Sequence, residues 1–339
     1  MRTREGRRGL LFICILTVVL LALLLLSFGL GRYAVPPAEV IRILLARIFP
    51  VTPSWTEQME TAVISIRLPR ILLACMVGGC LSAAGTAYQS VFRNPMAAPD
   101  ILGASSGACF GAALAILLGF SRSGVTALAF VSSLLSVALV YAIARRAKGN
   151  PVTMLLLAGV MIGSLFSACT SYVKLVADPT NQLPAITYWL MGSLSGTRMN
   201  AVGFAAVPML IGLAPLLALR WRINLLTLDE EEARSMGVNT GCLRLVVILC
   251  ATVLTAACVA VSGMIGWVGL VIPHLSRKLV GSNCRYLLPA STIFGAIFLL
   301  LVDNISRNLL ATEIPIGILT AFVGAPFFLY LMTRKEQLL

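Results

Sequence analysis

Long apolar runs, separated by short polar connections, make up almost the whole chain. A helix crosses a bilayer with about 20 mainly apolar residues. Runs near that length lie at 10–30, 71–91, 101–119, 124–144, 152–176, 201–219, 242–262, 266–280, 286–306 and 314–333, the eighth being short. The pattern predicts an all-α integral membrane protein of about ten transmembrane helices, with both ends on one side. The stretch "LPAITYWLMGSL" is too short to cross and is expected at an interface. "YAVPPAEVIRILLARIF" reads as a short amphipathic helix lying on the outer surface.

Two segments break the apolar pattern. "RNPMAAPDILGASSGACFG", Arg93 to Gly111, follows the second run. Its Asn-Pro and Pro-Asp pairs are turn and helix-start signals. Gly103, Gly107 and Gly111 then recur every four residues, a spacing that lets helix backbones approach closely in lipid. "GMIGWVGLVIPHLSRKLVG", Gly263 to Gly281, follows the seventh run and repeats the design. The two segments occupy corresponding places in oppositely directed halves. Glycine- and proline-interrupted spans at matching positions point to a transport path built from inverted repeats. Helices 2–5 and 7–10 are therefore expected to form the repeats. Candidate residues for the path, or for the packing around it, are Gln89, Asn94, Pro95, Gly103, Gly107, Thr153, Pro273 and His274. His274 is the only histidine and has no carboxylate neighbour in sequence, so a structural role is favoured over a proton relay or haem contact.

Composition agrees with a lipid-embedded chain. Of 339 residues, 59% are hydrophobic and 12% charged, against about 25% charged in soluble domains. The first apolar run exceeds the roughly 7–15 residues of a signal peptide and no A-x-A site follows, so an uncleaved helix is expected. The net charge of +13 is scattered between spans, which excludes a basic nucleic-acid domain. Nine cysteines occur without a C-x-x-C pair and mostly inside spans, as small apolar fillers; no metal site is expected. With the amino terminus inside, most of the 26 lysines and arginines fall on the inner side, as the positive-inside rule requires.

The source of energy is the next question. Ion-coupled carriers carry carboxylates inside their spans. Asp303 is the one clear case, and Arg307 stands four residues on, at ion-pair spacing. No G-x-x-x-x-G-K-[ST] phosphate loop is present, so the chain does not itself hydrolyse ATP by that scheme. The inner connection 220–241 contains "LTLDEEEARSMGV", an acidic-headed short helix stopped by Gly237. It is either a docking knob for a soluble motor or a solvated connector.

The motifs "RLPR" (67–70), "GGCLSAAGTAYQSVFRNPMAAPDILGASSGA" (78–108), "LDEEEARSMGV", "IGWVGLVIPHLSR" and "LPASTIFGAIFLLLVDNISR…EIPIGILTAFVGAPFFLYL" resemble the FecCD-type permeases. These are membrane subunits of type II ABC importers for ferric siderophores, haem and cobalamin. The resemblance covers nearly everything from Arg67 onward. It implies one membrane-spanning permease domain over 1–339, with 1–60 as first helix and outer segment and 220–241 as cytoplasmic coupling loop. It implies a multi-pass protein of a bacterial or archaeal inner membrane, paired with a second copy or a close paralogue. Two ATPase subunits, which carry ATP and Mg, would dock inside, and a periplasmic or lipid-anchored binding protein outside. Leu228, Asp229, Glu230, Glu231, Ala233, Arg234, Ser235, Met236 and Gly237 would then form the coupling element. Arg67, Arg70 and Arg307 would meet glutamates of the binding protein; otherwise they snorkel to the interface. No cofactor is expected in this chain and its role would not be enzymatic. A ferric siderophore is the first choice of cargo, then haem or cobalamin; an ion-driven secondary carrier is the rival class. Three positions depart from the family pattern: Asp229 for glycine, Trp267 for phenylalanine and Met96 for leucine.

Overall fold

A computed structural model describes residues 4–31, 33–47, 49–50, 52–228, 230–310 and 312–333. The first half of the chain runs α1 (Arg4–Gly29), α2 (Pro37–Leu45), α3 (Glu57–Glu60), a π-helical turn (Thr61–Arg67), α4 (Leu68–Val91), α5 (Ala104–Leu117), α6 (Arg122–Arg146) and α7 (Pro151–Val176). The rest runs α8 (Gln182–Leu190), α9 (Met199–Ile223), a 3-10 turn (Asn224–Thr227), α10 (Glu230–Ser235), α11 (Thr240–Ser262), α12 (Val268–Val280), α13 (Cys284–Asn308) and α14 (Ile316–Thr333). Boundaries follow local chemistry. Asn150, Asn239 and Asn283 each accept a backbone N–H at the start of α7, α11 and α13, and Pro151 fills the first turn of α7, where a missing N–H costs nothing.

Among the described residues, seven helical stretches are long and apolar enough to cross a membrane. The third, eighth and tenth expected spans correspond to α5, α12 and α14, with 14, 13 and 18 residues. At 1.5 Å per residue, α5 and α12 reach only about 20 Å of a roughly 30 Å hydrocarbon layer. The runs 101–119 and 266–280 are therefore not full spans. Their first residues are spent on irregular backbone, which is tolerated at depth only because protein or a cavity surrounds it.

The inverted repeat is visible in the packing. α4 lies against α13 as α11 lies against α6, and α5 contacts α6 and α7 as α12 contacts α13 and α14. α4 is the axis of the molecule, buried along most of its length, with α11 and α13 beside it. α6, α7 and α9 keep one face exposed. α2 forms in the segment read as amphipathic and α8 in the short apolar stretch.

Candidate functional site

The two broken segments meet beside α4. In the first, the Asn94 carboxamide accepts from Met96 N–H at 2.9 Å, closing a side-chain turn at the end of α4. Gly103 then takes φ 75°, a left-handed conformation that glycine adopts without penalty, and α5 begins at the next residue. The Ser136 and Ser133 hydroxyls of α6 donate to the Gly103 and Ala104 carbonyls at 2.9 and 2.7 Å. In the second segment Trp267 holds φ 69°, and α12 begins at the residue after it. A non-glycine residue there is strained unless its surroundings fix it. The indole presses on Gly324 of α14 and lies 6.3 Å from the Phe328 ring.

The contact between the segments is close. Gly269 packs against Pro99 and the Leu81 carbonyl; a Cβ on Gly269 would lie 2.2 Å from Pro99 Cγ and 2.7 Å from Leu81 O. Pro273, buried inside α12, has no N–H to offer the Gly269 carbonyl four residues earlier. That carbonyl faces α4, where a Cβ on Gly85 would lie 1.8 Å from its oxygen. A proline in one helix and a glycine in its neighbour thus create one contact. Near the same end of α4, Gln89 accepts from Arg277 at 3.1 Å and lies 3.5 Å from the Leu270 carbonyl.

A cavity of about 570 Å³ opens between α5, α7 and the first broken segment. It is lined by Asp100, Gly103 and the hydroxyl-bearing Ser106, Ser164 and Ser167, among others. Among the described residues its lining holds no lysine, arginine or histidine.

At the opposite end of α4 lies a buried charge cluster. Arg70 donates from Nε to Asp303 at 2.8 Å and from Nη1 to both Glu313 oxygens at 2.9 Å. Arg307 Nε stands 3.8 Å from the second Asp303 oxygen, and its Nη2 donates to Ser27 O at 3.0 Å and to the Asn304 carboxamide. Arg67 donates to the Phe28 and Tyr33 carbonyls. The cluster ties α1, α4 and α13 together. Asp303 is fully buried and the three arginines nearly so, whereas about 29% of the Glu313 side chain is exposed.

The connection between α9 and α11 sits near the other end of α4. Asn224 accepts from the Cys284 N–H at 2.7 Å, and Arg93 Nε donates to Leu226 O at 2.9 Å. Arg93 also donates to the Leu228 carbonyl. α10 follows and Gly237, at φ 76°, ends it. Ala233 faces inward, Met236 is exposed, and the Ser235 hydroxyl caps Glu232 O at 2.7 Å. Asp229 lies outside the described residues, as do the side chains of Glu230, Glu231 and Arg234.

The model of the FecCD transport family matches residues 19–334. The chain belongs to the FecCD transport family. The molybdate import system permease protein MolB of Haemophilus influenzae is 42% identical over 322 residues, 95% of each chain. The Fe(3+)-citrate import system permease protein YfmE of Bacillus subtilis is 39% identical over 342 residues, covering 99% of this chain and 98% of that one. A solved structure described as an inward-facing conformation of a putative metal-chelate type ABC transporter superposes with a TM-score of 0.85 at 41% identity, over 94% of this chain and 98% of that one.

Within this FecCD chain the candidate residues separate. Gln89, Asn94 and Pro95 lie at the end of α4, Gly103 starts α5 against Ser136 of α6 and Gly163 of α7, and Pro273 and His274 lie on α12 close to Gln89's contacts. Gly103 lines the cavity, but Gly107 does not. Gly107 faces α6, where a Cβ would lie 2.6 Å from Ser136 Cβ and 2.7 Å from Ser132 O. It is a packing residue because the helices touch through its hydrogens. Thr153 sits exposed in the first turn of α7, apart from the others. Arg67, Arg70 and Arg307 come together but are enclosed, neither displayed outward nor snorkelling. Sequence reasoning missed Glu313 as the partner of Arg70, the left-handed Trp267, and Arg93. Only Arg93 left a signal: a lone cation opening a glycine- and proline-rich break.

Gly107→Leu is expected to separate α5 from α6, with an overpacking penalty of about 1–3 kcal/mol or more. Thermal unfolding of the purified protein and uptake in cells check it. A variant that melts and transports like the parent would show that this face of α5 does not bear on α6.

Proposed function

We propose that the chain is the non-enzymatic permease subunit of a type II ABC importer that passes an iron chelate through the membrane from an extracellular binding protein. The family match along nearly the whole chain carries this reading. It also accounts for a membrane protein whose interior carboxylate is pinned. Asp303 is locked between Arg70 and Arg307, so it is unsuited to the repeated protonation or ion binding of a gradient-driven carrier. In this reading both termini and α10 face the cytoplasm, α10 contacts an ATPase, and a second copy or a paralogue completes the path. Relatives are named for molybdate as well as for ferric citrate. The cavity beside α5 carries the Asp100 carboxylate and serine hydroxyls without a cation, which favours a neutral or cationic chelate over an oxyanion.

Proteoliposomes test this. The subunit alone is expected to move nothing under a proton or sodium gradient. The complex with ATPase and binding protein is expected to take up a ferric hydroxamate chelate on ATP addition and to leave molybdate outside. Sustained uptake by the lone subunit sinks the ABC reading; ATP-driven molybdate uptake sinks the chelate reading alone.

Docking of the binding protein is assigned to the end that carries Arg67, Arg70 and Arg307. A docked carboxylate reaches Arg70 by exchange with Glu313, its partly exposed partner. Glu313→Gln is therefore expected to tighten docking, by up to about fivefold as for an exposed ion pair, and docking is expected to weaken as salt screens it. Affinity of the binding protein across a salt series checks both. Unchanged affinity in Glu313→Gln at low salt removes this cluster from the docking site.

A further inference from the structure

Arg93 stands where three parts of the molecule converge. It follows Phe92, the residue that caps α4, and opens the first broken segment. Its guanidinium reaches across 133 residues of sequence to Leu226 O at 2.9 Å and on to Leu228 O, the carbonyls that lead into α10. Its own backbone is left-handed, at φ 48°, although it is not glycine. Such a conformation persists only where the surroundings over-determine it. The neighbouring Asn94 N–H donates to Gln89 O at 3.2 Å. The Gln89 side chain in turn accepts from Arg277 and approaches the Leu270 carbonyl, both on α12. Pro99 of the same broken segment rests on Gly269 of α12. A continuous chain of hydrogen bonds and close contacts thus runs from the α10 loop through Arg93 to both broken segments. Arginine is suited to the place, because its planar fork holds two carbonyls at once where lysine offers a point charge.

We propose that Arg93 is the positioning residue that carries displacement of the α10 loop into the broken segments, and so links ATP hydrolysis on the partner to opening of the path. The proposal rests on the reading of α10 as the ATPase contact. It adds a residue that lies outside α10 itself. A push or pull on residues 226–228 moves Arg93, and Arg93 cannot move without the end of α4 and the turn at Asn94. Loss of the guanidinium bonds to Leu226 O and Leu228 O would let the loop move while the path stays still.

The test uses the full complex of permease, ATPase and binding protein, with ferric hydroxamate uptake and ATP hydrolysis measured in the same vesicles. Arg93→Gly keeps the left-handed backbone available and removes both donors. It is expected to fold, to retain the ATPase in pull-down, and to lower chelate moved per ATP hydrolysed by at least about tenfold, since bonds to a charged donor are lost. Arg93→Lys is expected to fall between it and the parent. An unchanged ratio in Arg93→Gly overturns the proposal. Loss of ATPase binding by a folded Arg93→Gly chain also overturns it, because Arg93 would then only shape the docking surface. Should Arg93→Gly fail to fold, Arg93→Lys decides: a lowered ratio supports the proposal and an unchanged one overturns it. The underlying reading has its own arm. Glu231→Arg combined with Arg234→Glu is expected to weaken ATPase pull-down, and an unchanged pull-down overturns α10 as the docking element independently of the Arg93 ratio.

Discussion

Asp303→Ala is expected to unfold the end of the bundle where α1, α4 and α13 join. Among the described residues, Asp303 is the one carboxylate fully enclosed among the three arginines, and it meets two of them. Removing it leaves Arg307 with neutral acceptors alone, Ser27 O and the Asn304 carboxamide. It leaves Arg70 holding Glu313 only. Two like charges then face each other with little solvent between them. Breaking a buried pair from one side costs roughly 3–5 kcal/mol, more than most point substitutions, because the remaining charge stays desolvated. The expected result is a large drop in the thermal transition of the detergent-purified protein and poor accumulation in the membrane. Asp303→Asn keeps an acceptor for Arg70 and loses the charge, so it should fall between alanine and the parent. If Asp303→Ala melts with the parent, the cluster contributes nothing to folding and the arginines are held by their other partners.

Gly85→Ala should be nearly as damaging, although it adds a single methyl group. The added carbon would lie 1.8 Å from the Gly269 oxygen and 2.6 Å from its carbonyl carbon. Those are backbone atoms of α12, so no side chain can rotate away. α4 and α12 must part, and Pro99, seated on Gly269, must shift with them. Overpacking of side chains costs about 1–3 kcal/mol, and a clash of backbone with backbone lies at or above the upper end. Since Gly269 also bears Pro99 of the other broken segment, uptake should be lost even where the chain still accumulates. Gly203→Ala on α9, with nothing within 4 Å of the new carbon, is the control and should be neutral. Equal melting and uptake for the Gly85 and Gly203 variants would show that α4 and α12 are not in backbone contact.

What the sequence made legible follows from how local each feature is. The long spans were readable because lipid demands contiguous apolar length. The Asp303–Arg307 pairing was readable because it lies within one helical turn. The breaks at Asn94–Gly103 and Gly263–Trp267 were readable from glycine and proline. Their depth was not: nothing local says that α5 starts only at Ala104 or α12 only at Val268, since that depends on what covers the irregular backbone. The bonds from Arg70 to Glu313 span 243 residues and arise from the packing of α4 on α13. Trp267 is the clearest failure. Propensity argues against a left-handed tryptophan, and it is held there by its seat on Gly324, its contact with Phe328 and the Leu270 and Val271 N–H groups that bond its carbonyl. The arginines were readable as a group, and Arg70 and Arg307 do meet at one end of α4 through Asp303. Sequence could not give their burial, because an arginine at a helix end looks the same whether it faces water or a carboxylate synthesised much later.

That delay has a consequence for biogenesis. Arg70 and Asp303 are 233 residues apart, so at about 5–20 residues per second the ribosome delivers the aspartate roughly 10–50 s after the arginine. Throughout that interval α4, the helix around which the others assemble, carries Arg70 without the carboxylates that later enclose it, whereas the carbonyls that hold Arg67, those of Phe28 and Tyr33, have already been made. A guanidinium at a helix end can meanwhile stretch to the headgroup region. Early α4 thus carries one unpaired guanidinium at this end, and the arrival of α13 supplies the carboxylate that allows it to be buried. The charge cluster acts in time as well as in space, keeping the central helix from settling until its last major neighbour has been made.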